Sequence, residues 1–235
     1  MFYNGEGMAK TLDFFQIYFS DEQKQKLYPF AIPYKNETLT EYFENSVIAE
    51  LVPKSNADLI AVCSWRLKQK RGDSSTPMIL NGDLSLTEEK ILNNDFDVAV
   101  LTPRSPRHQP LYMASQWHGR AWDDAFNELK TGFLFPRGIK IKAELSKAIY
   151  ENHFIAKREI YHTYVAECLT PAIEFMRDKE IFKADSGYVR KKKDPKEIKA
   201  YQEKSGRYDW PISVFILERL FSIYIEGKGF KIIDI

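Results

Sequence analysis

Cysteine is scarce in this sequence, with only Cys63 and Cys168 among 235 residues. Both lie within apolar runs, so we expect two reduced, buried thiols. So small a number excludes a disulfide-stabilised framework, and the absence of a C-x-x-C pair argues against a structural zinc site. Reduced thiols are typical of proteins in a reducing compartment, and we therefore predict a cytoplasmic location.

Neither sign of charge dominates, and no apolar run is long. Lysine and arginine together number 34, and aspartate and glutamate 33, which gives a net charge of +1. A protein with so balanced a charge has no general attraction for nucleic acid, and we expect no nucleic-acid partner. No run approaches the roughly 20 apolar residues that cross a bilayer. We therefore expect no transmembrane segment, and the first ten residues lack the pattern of a signal peptide.

Familiar metal and phosphate motifs are also lacking. There is no P-loop, G-x-G-x-x-G or G-x-S-x-G, and the four histidines show no H-x-H or H-x-x-x-H spacing. Asp95-Phe-Asp97 is a D-x-D pair of the kind that holds a divalent metal on a nucleotide diphosphate. The strand candidate at 98–101 follows this pair, so both carboxylates should lie at the amino edge of the sheet, away from the expected site. We assign no metal ligand and leave open a requirement for Mn²⁺ or Mg²⁺.

Apolar runs alternate with helical patterns along the chain, which is typical of an α/β fold. The spacing of apolar residues predicts a helix from 111 to 131 that is broken near Gly119 and ends at Gly132, and another from 157 to 177 that bends at Pro171. Helical connections between strands imply parallel strand pairs. The strand candidates lie at 12–19, 59–65, 98–101, 150–157 and 230–235.

These elements predict a single α/β domain over 1–235, with a mainly parallel central sheet flanked by helices. Residues 1–10 are expected to form a loose tail, and 178–210 a polar insertion on the surface. The insertion contains Arg190-Lys-Lys-Lys193. This basic run would either bind phosphate groups or lie in a solvated loop.

The most informative stretch is the strand candidate after Asp58, together with its exit. The run from 59 to 63 is apolar and β-branched at two positions, as in a strand buried on both faces. Ligands of open α/β sheets bind beyond the carboxyl ends of the strands. The exit therefore predicts a site for an anionic, ring-bearing ligand, the alternative being an ordinary strand end kept soluble by its charges. The exit consists of a hydroxyl, an indole and three cations: Ser64, Trp65, Arg66, Lys68 and Lys70.

Other polar residues stand in apolar surroundings. Gln16, among the aromatic residues of the first strand candidate, would either reach a nucleotide base or pair with sheet backbone. Asn152 and His153 interrupt a strand-like run and would either bind sugar hydroxyls or lie in a turn. Glu218 and Arg219 occupy the middle of an apolar helix, where charges are seldom buried unless paired. The pair either forms structural ion pairs or faces a pocket, in which Glu218 could act as a general base.

Several segments together resemble bacterial glycosyltransferase-like proteins of capsule and O-antigen clusters. Asp58-Leu-Ile-Ala-Val-Cys-Ser-Trp-Arg66 resembles a strand exit of that family, d-y-i-G-l-x-H-Y-R-R. Tyr150-Glu-Asn-His-Phe-Ile-Ala-Lys157 is similar to its N-M-F-I-M-K segment, and the CLTPAIEFM helix to its W-L-F-P-I-L-F-E helix, including Pro171. Phe215-Ile-Leu-Glu-Arg-Leu-Phe221 is close to its G-F-L-S-E-R-L motif. The order agrees over roughly 58–225, and the QIYF run from Gln16 resembles the H-Q-I-W opening strand of a D-x-D sugar-transferase group.

The resemblance implies a GT-A-like, Rossmann-like fold and transfer of a sugar from a nucleotide-diphosphate donor to a glycan or lipid-linked acceptor. It implies that Trp65 stacks on a ring, that Arg66 with Lys68 or Lys70 neutralises the leaving diphosphate in place of a metal, and that Glu218 serves the acceptor. Gln16 and Ser64 are then assigned to the donor site, Asn152 and His153 to the acceptor site, and Arg219 to the catalytic pair with Glu218. Ser64-Trp65 replaces the family's His-Tyr, and Leu67 its second arginine. The alternative is a non-catalytic nucleotide- or carbohydrate-binding module on the same fold.

Overall fold

The structure is a computed structural model of the chain. It describes residues 10–37, 43–68, 86–102, 110–142, 145, 149, 152–186, 199, 202–203 and 209–235. The predicted tail before Lys10, the predicted ligand-binding residue Lys70 and the basic run 190–193 lie outside these ranges.

Six strands form one mixed sheet within the described residues. The order across the sheet is β2-β1-β3-β5-β4-β6. Pairing is parallel between β1 and β2, β1 and β3, and β4 and β6, whereas β5 is antiparallel to both of its neighbours. The α/β class is confirmed, but the prediction of a mainly parallel sheet is wrong because β5 makes the sheet mixed. The strands are β1 (Leu12–Tyr18), β2 (Ile32–Lys35), β3 (Leu59–Ser64), β4 (Val98–Val100), β5 (Phe154–Lys157) and β6 (Ile232–Asp234).

Eight α-helices flank this sheet in the described part of the chain. Short 3₁₀ turns occur at Val52–Lys54, Phe135–Arg137 and Ile181–Lys183, and π-helical turns at Lys130–Leu134 and Val165–Leu169. The helices are α1 (Asp21–Lys24), α2 (Glu44–Leu51), α3 (Glu88–Leu92), α4 (Pro110–His118), α5 (Arg120–Leu129), α6 (Arg158–Tyr164), α7 (Thr170–Asp178) and α8 (Ile212–Lys228).

The reversed direction of β5 follows from the path of the chain before it. Lys142 pairs with Glu226 near the end of α8, with 3.1 Å between Nζ and Oε2. Seven residues later, the carbonyl of Ile149 accepts a hydrogen bond from Ser222, one turn earlier in that helix. Lys142 and Ile149 therefore contact α8 in the order opposite to the direction of that helix, and β5 begins at the edge at which β3 ends. Hydrophobic periodicity defines which face of a strand is buried but not its direction, so this reversal was not predictable from the pattern.

Two apolar clusters cover the two faces of the sheet. Ile60 and Val62 of β3 belong to the larger cluster, which includes most of the helices. Ala61 and Cys63 belong to the smaller one on the opposite face. Burying an aliphatic side chain contributes roughly 1.5–3 kcal/mol, so burial on both faces fixes β3, and with it the strand exit, relative to the rest of the sheet.

The helix breaks show where glycine is needed. The predicted break near Gly119 is confirmed, since this residue separates α4 from α5 at a φ of 61°. The predicted stop at Gly132 is wrong, because this residue lies inside the π-helical turn after α5. A Cβ atom at Gly132 would come within 2.7 Å of the Phe175 ring, which explains the glycine by close packing. The left-handed residue that ends this helical run is Gly138, at a φ of 68°.

The predicted bend at Pro171 coincides with a change of helix type. A π-helical turn, Val165–Leu169, directly precedes α7, and Pro171 lies in the first turn of α7. Proline lacks the amide that an interior helical position would donate, so a widened turn just before it accommodates the lost bond.

The described ends of the predicted insertion at 178–210 are packed against the domain. Ile181 is 5% exposed, Ser186 is 1% exposed and Asp209 is fully buried. Asp185 also forms an isolated β-bridge with Pro211. These contacts bring the two ends of the insertion together at the start of α8, whereas residues 187–198 lie outside the described ranges.

Candidate functional site

The strand order identifies where a ligand would bind. β2 lies on one side of β1, whereas β3 lies on the other, so the chain changes direction across the sheet between β1 and β3. In open α/β sheets, the crevice beyond the carboxyl ends of two such strands is the usual ligand site. These ends are Tyr18 and Ser64, and Ile17 pairs with Ser64 in the parallel register.

Gln16 connects the two strand exits from inside the protein. Its side chain is fully buried. Nε2 donates to the carbonyl of Ser64 over 3.3 Å, and Oε1 accepts from the amide of Tyr28 over 2.6 Å. Both ends of the side-chain amide are therefore hydrogen-bonded to backbone, the second of the two roles that the sequence left open. Gln16 acts at the predicted donor site by holding Tyr28 and Ser64 in place.

At this edge, the segments 26–28 and 65–68 are in contact, and a lysine of each lies over an aromatic ring of the other. Lys26 Nζ lies 5.3 Å from the centroid of the Trp65 ring, and the Arg66 guanidinium carbon lies 5.4 Å from the same centroid. In the opposite direction, Lys68 Nζ lies 5.0 Å from the centroid of the Tyr28 ring. The structure thus brings together Trp65, Arg66 and Lys68, three of the predicted donor-site residues. Lys26 and Tyr28 were missed, because only the pairing of β1 with β3 brings their segment to the exit.

The charges of these cations are only partly balanced. Lys26 forms an ion pair with Glu22, with 2.6 Å between Nζ and Oε1. Lys26 lowers the pKa of the Glu22 carboxyl from its usual value. Within the described ranges, neither Arg66 nor Lys68 pairs with a carboxylate. The exit of β3 therefore presents a positive charge that an anionic ligand would balance.

The entry of β5 meets the exit of β3 at the same edge. Ser64 Oγ lies 3.0 Å from His153 Nε2, and the proton position depends on the imidazole tautomer. Ser64 Oγ also accepts a hydrogen bond from the Arg66 amide over 3.3 Å. On the other side, the Cys63 thiol donates to the carbonyl of Asn152 over 3.6 Å. Ser64, which was predicted to bind the sugar donor, therefore contacts His153 directly and follows Cys63, which contacts Asn152. His153 and Asn152 are the two residues that were predicted to bind the sugar acceptor.

Asn152 has two features that point to a ligand. Its backbone is left-handed, at a φ of 55°, a conformation that asparagine adopts more readily than most residues. Its side chain is 3% exposed, and Nδ2 has no hydrogen-bond partner in the described part of the chain. A buried donor without a partner costs about 1–3 kcal/mol. A hydroxyl or phosphate oxygen of a ligand would satisfy this donor.

Glu218 and Arg219 pair with each other in α8. Arg219 Nη1 donates to Glu218 Oε2 and to the carbonyl of Phe215, each over 2.8 Å. Arg219 is 1% exposed, and its guanidinium lies 5.6 Å from the centroid of the Trp122 ring. Glu218 is the less buried partner, with 14% of its side chain exposed. Arg219 is thus held within the helical core, and its contacts with Phe215, Glu218 and Trp122 give it a structural role.

The position of Glu218 relative to the sheet edge follows from helix geometry. Ser222 contacts Ile149, three residues before Asn152. Glu218 precedes Ser222 by four residues and so lies on the same face of α8, one turn away. Because α8 leads into the start of β6 at the amino edge, this turn lies nearer the carboxyl edge. The helix therefore carries Glu218 toward the entry of β5.

His118, the last residue of α4, belongs to the core between α4 and α8. Its Nδ1 lies 3.0 Å from the carbonyl of Ser186, and its ring centroid lies 4.2 Å from that of Phe215. It thus helps to hold the end of the 178–210 segment against α8.

Asp95 and Asp97 lie just before β4, at the edge opposite the site. Asp95 pairs with Lys231 at 3.0 Å and Asp97 with Lys157 at 2.9 Å. The pKa of Asp97 is lowered, first by the backbone amide of Lys231 and then by Lys157. Carboxylates already paired with lysines do not fit a metal site. In the ranges that the structure describes, no group of three or more histidine, cysteine or acidic residues is placed to hold a metal ion.

Both thiols are poor nucleophiles in their surroundings. Cys63 is fully buried and Cys168 is buried beside α7, and neither is in a disulfide. Burial raises the pKa of Cys63 well above its usual range and that of Cys168 to about 12. The thiolate is the reactive form, so neither cysteine contributes chemistry to the site.

No family model, curated protein or solved structure matches the chain. Among the described residues, no helix is both long and apolar enough to cross a membrane.

Proposed function

We propose that this protein is a glycosyltransferase with a GT-A-like fold, which moves a sugar from a nucleotide-diphosphate donor to a glycan or lipid-linked acceptor. One observation carries the proposal. The 3.0 Å contact between Ser64 and His153 joins two segments that are 89 positions apart in sequence. The family resemblance assigned the first segment to the donor and the second to the acceptor. Among the residues that the structure describes, these segments hold two cations without a carboxylate partner and a buried amide Nδ2 without a hydrogen-bond partner.

The cations at the exit of β3 would act on the donor. When the bond between the sugar and the phosphate breaks, the electron pair stays with the leaving diphosphate. Negative charge therefore develops there in the transition state, and preorganised cations lower the barrier by stabilising it. Arg66 and Lys68 are the residues proposed to do so. Gln16 supports them indirectly, because it holds the backbone of Tyr28, whose ring lies under Lys68, and that of Ser64, two residues before Arg66.

The entry of β5 would act on the acceptor. The Asn152 amide would donate to an acceptor or sugar oxygen, which removes the cost of its unsatisfied donor. Glu218 would take the proton of the acceptor hydroxyl as that oxygen forms its new bond to the sugar carbon. Arg219 Nη1, at 2.8 Å from Glu218 Oε2, holds the carboxylate of this proposed base in one position. Free buried thiols and nucleotide-sugar chemistry both accord with a cytoplasmic location.

The second candidate is a non-catalytic nucleotide- or carbohydrate-binding module. The same ion pair favours it, because the one predicted base already has a strong partner at 2.8 Å. A glycosyltransferase and a nucleotide-binding module both require binding of a nucleotide diphosphate, a carbohydrate-binding module requires binding of a sugar, and only the glycosyltransferase requires turnover.

The test measures binding and turnover separately. Uridine and guanosine diphosphates are titrated against the wild type while the melting temperature is recorded, because a ligand that binds only the native state stabilises it. Release of diphosphate from nucleotide sugars is then assayed with and without Mn²⁺. We expect stabilisation by at least one diphosphate, and slower release in Glu218→Gln with unchanged binding. The control is Glu128→Gln, an exposed site on α5.

Two results decide between the candidates. If a nucleotide diphosphate binds but no diphosphate is released from nucleotide sugars with any of the acceptors, the glycosyltransferase is excluded and the binding module remains. Absence of stabilisation by either nucleotide removes the glycosyltransferase and the nucleotide-binding module, and leaves only a carbohydrate-binding module.

A further inference from the structure

The two aromatic rings at the proposed donor site are already covered by cations. Trp65 has Lys26 at 5.3 Å and Arg66 at 5.4 Å from its ring centroid. Tyr28 has Lys68 at 5.0 Å, and it also stacks on Phe30 with 5.4 Å between centroids and 30° between planes. Tyr28 is only 6% exposed. Neither ring is thus presented as an open platform for a nucleotide base.

The contacts are reciprocal, and this fixes the cations in place. The segment that carries Lys26 provides the ring for Lys68, whereas the segment that carries Lys68 provides the ring for Lys26. Gln16 joins the same two segments through their backbones. Cations attracted to ring faces are held in a narrower range of positions than solvated ones. A pre-positioned group pays a smaller entropic cost when a ligand binds.

The net charge at these contacts suits a diphosphate. Three cations and one carboxylate, that of Glu22, take part in the described contacts, which leaves two positive charges (3 − 1 = 2). A nucleotide base is neutral and would gain little from this charge. A diphosphate carries more than one negative charge and offers several acceptor oxygens for charge-assisted hydrogen bonds.

We propose that this site recognises the diphosphate and not the base, so that uridine diphosphate, guanosine diphosphate and inorganic pyrophosphate bind alike. Trp65 is then a positioning residue for Lys26 and Arg66, not the ring on which the base stacks. The inference rests on the proposed function, since it specifies which part of the nucleotide-sugar donor the site binds.

The first experiment compares four ligands on the wild type by calorimetric titration at low ionic strength. They are uridine diphosphate, guanosine diphosphate, inorganic pyrophosphate and uridine. We expect the three diphosphates to bind with dissociation constants within about threefold of one another, and uridine to bind at least about 100-fold more weakly. Uridine diphosphate that binds more than about tenfold tighter than pyrophosphate overturns the inference and leaves the proposed function intact. If none of the three diphosphates binds, the proposed function itself fails.

The second experiment separates the two roles of Trp65. If Trp65 positions cations, Trp65→Leu weakens pyrophosphate and both nucleotides by the same factor, about tenfold. If instead Trp65 stacks on the base, the same variant weakens the nucleotides and leaves pyrophosphate unchanged, which contradicts the inference. Trp65→Phe keeps a ring and is expected to retain most of the binding, which guards against a general folding defect. The matched control is Trp117→Leu, a half-exposed tryptophan on α4.

Discussion

Both edges of the central sheet carry charged side chains, but the two edges use them differently. At the amino edge, Asp95 and Asp97 pair with Lys231 and Lys157, and Asp58 accepts two hydrogen bonds from Thr11. At the carboxyl edge, Arg66 and Lys68 lie over aromatic rings with no carboxylate partner among the described residues, and the Asn152 amide is unsatisfied. Charged side chains that form ion pairs within the chain stabilise the fold, whereas cations without a carboxylate partner are available to bind an anionic ligand.

This difference predicts that variants at the amino edge change stability and not binding. Variants of the cations at the carboxyl edge should do the reverse. Gln16 is the exception, because it lies beneath the site and is also part of the fold.

The largest effect is expected for Gln16→Leu. The variant leaves the Tyr28 amide and the Ser64 carbonyl without their buried partner, and each unsatisfied group costs about 1–3 kcal/mol. We expect a loss of about 3 kcal/mol in the free energy of unfolding, measured by urea denaturation, together with weaker binding of nucleotide diphosphates. Gln25→Leu, at an exposed position beside α1, is the control. A loss no larger than in this control would mean that Gln16 does not hold the two exits together.

The next effect is expected for Arg66→Gln. The variant removes a cation that has no carboxylate partner in the described ranges, so binding of uridine diphosphate should weaken about tenfold, or about 1.4 kcal/mol. The free energy of unfolding should change by less than about 0.5 kcal/mol. Arg120→Gln, at a surface arginine that pairs with Asp124, should leave binding unchanged. Equal effects of the two arginine variants would contradict the assignment of the site.

A smaller effect, on stability alone, is expected for Asp97→Asn. The folded state lowers the pKa of this carboxyl through the Lys231 amide and Lys157. A group with a lowered pKa in the folded state stabilises it above the unfolded-state pKa of about 4, and this contribution is lost as the pH falls through the folded value. We expect Asp97→Asn to cost about 1 kcal/mol at neutral pH and to reduce the loss of stability on acidification. Binding of uridine diphosphate should be unchanged, and weaker binding would count against the separation of the two edges.

The smallest effect on stability is expected for Asn152→Gly. Glycine keeps the left-handed backbone and removes the Nδ2 group, which has no hydrogen-bond partner among the described residues, so the free energy of unfolding should change by less than about 0.5 kcal/mol. The Michaelis constant for the acceptor should rise. Asn152→Ala serves as the comparison, since it removes the same amide but strains the backbone. A large loss of stability in the glycine variant would indicate that the amide is part of the folded structure and does not await a ligand.

Much of the fold could be predicted from the sequence, because local pattern decides it. The β-branched apolar run in β3 predicted a strand buried on both faces, and Gly119 predicted the helix break. The direction of β5 could not be predicted, since it depends on how the preceding segment packs along α8. The role of Gly132 was equally inaccessible, because its cause is the ring of Phe175, which lies 43 positions away.

The candidate site divides in the same way. The abrupt change from apolar to cationic residues marked Trp65, Arg66 and Lys68. Lys26 and Tyr28 carry no local signal of a site, and only the pairing of β1 with β3 brings them to these residues. Gln16 was recognised as a polar residue in an apolar strand, but its partners are backbone groups that no sequence pattern reveals.

The most direct test of the account is amide hydrogen exchange with and without uridine diphosphate. We expect the ligand to slow exchange in peptides that cover residues 16–28 and 61–68, with lesser protection at 152–154. Exchange at 94–98 and 229–232, which lie at the amino edge, should stay the same. Protection confined to the amino edge, or none at either edge under saturating ligand, would contradict the claim that the carboxyl edge is the binding site.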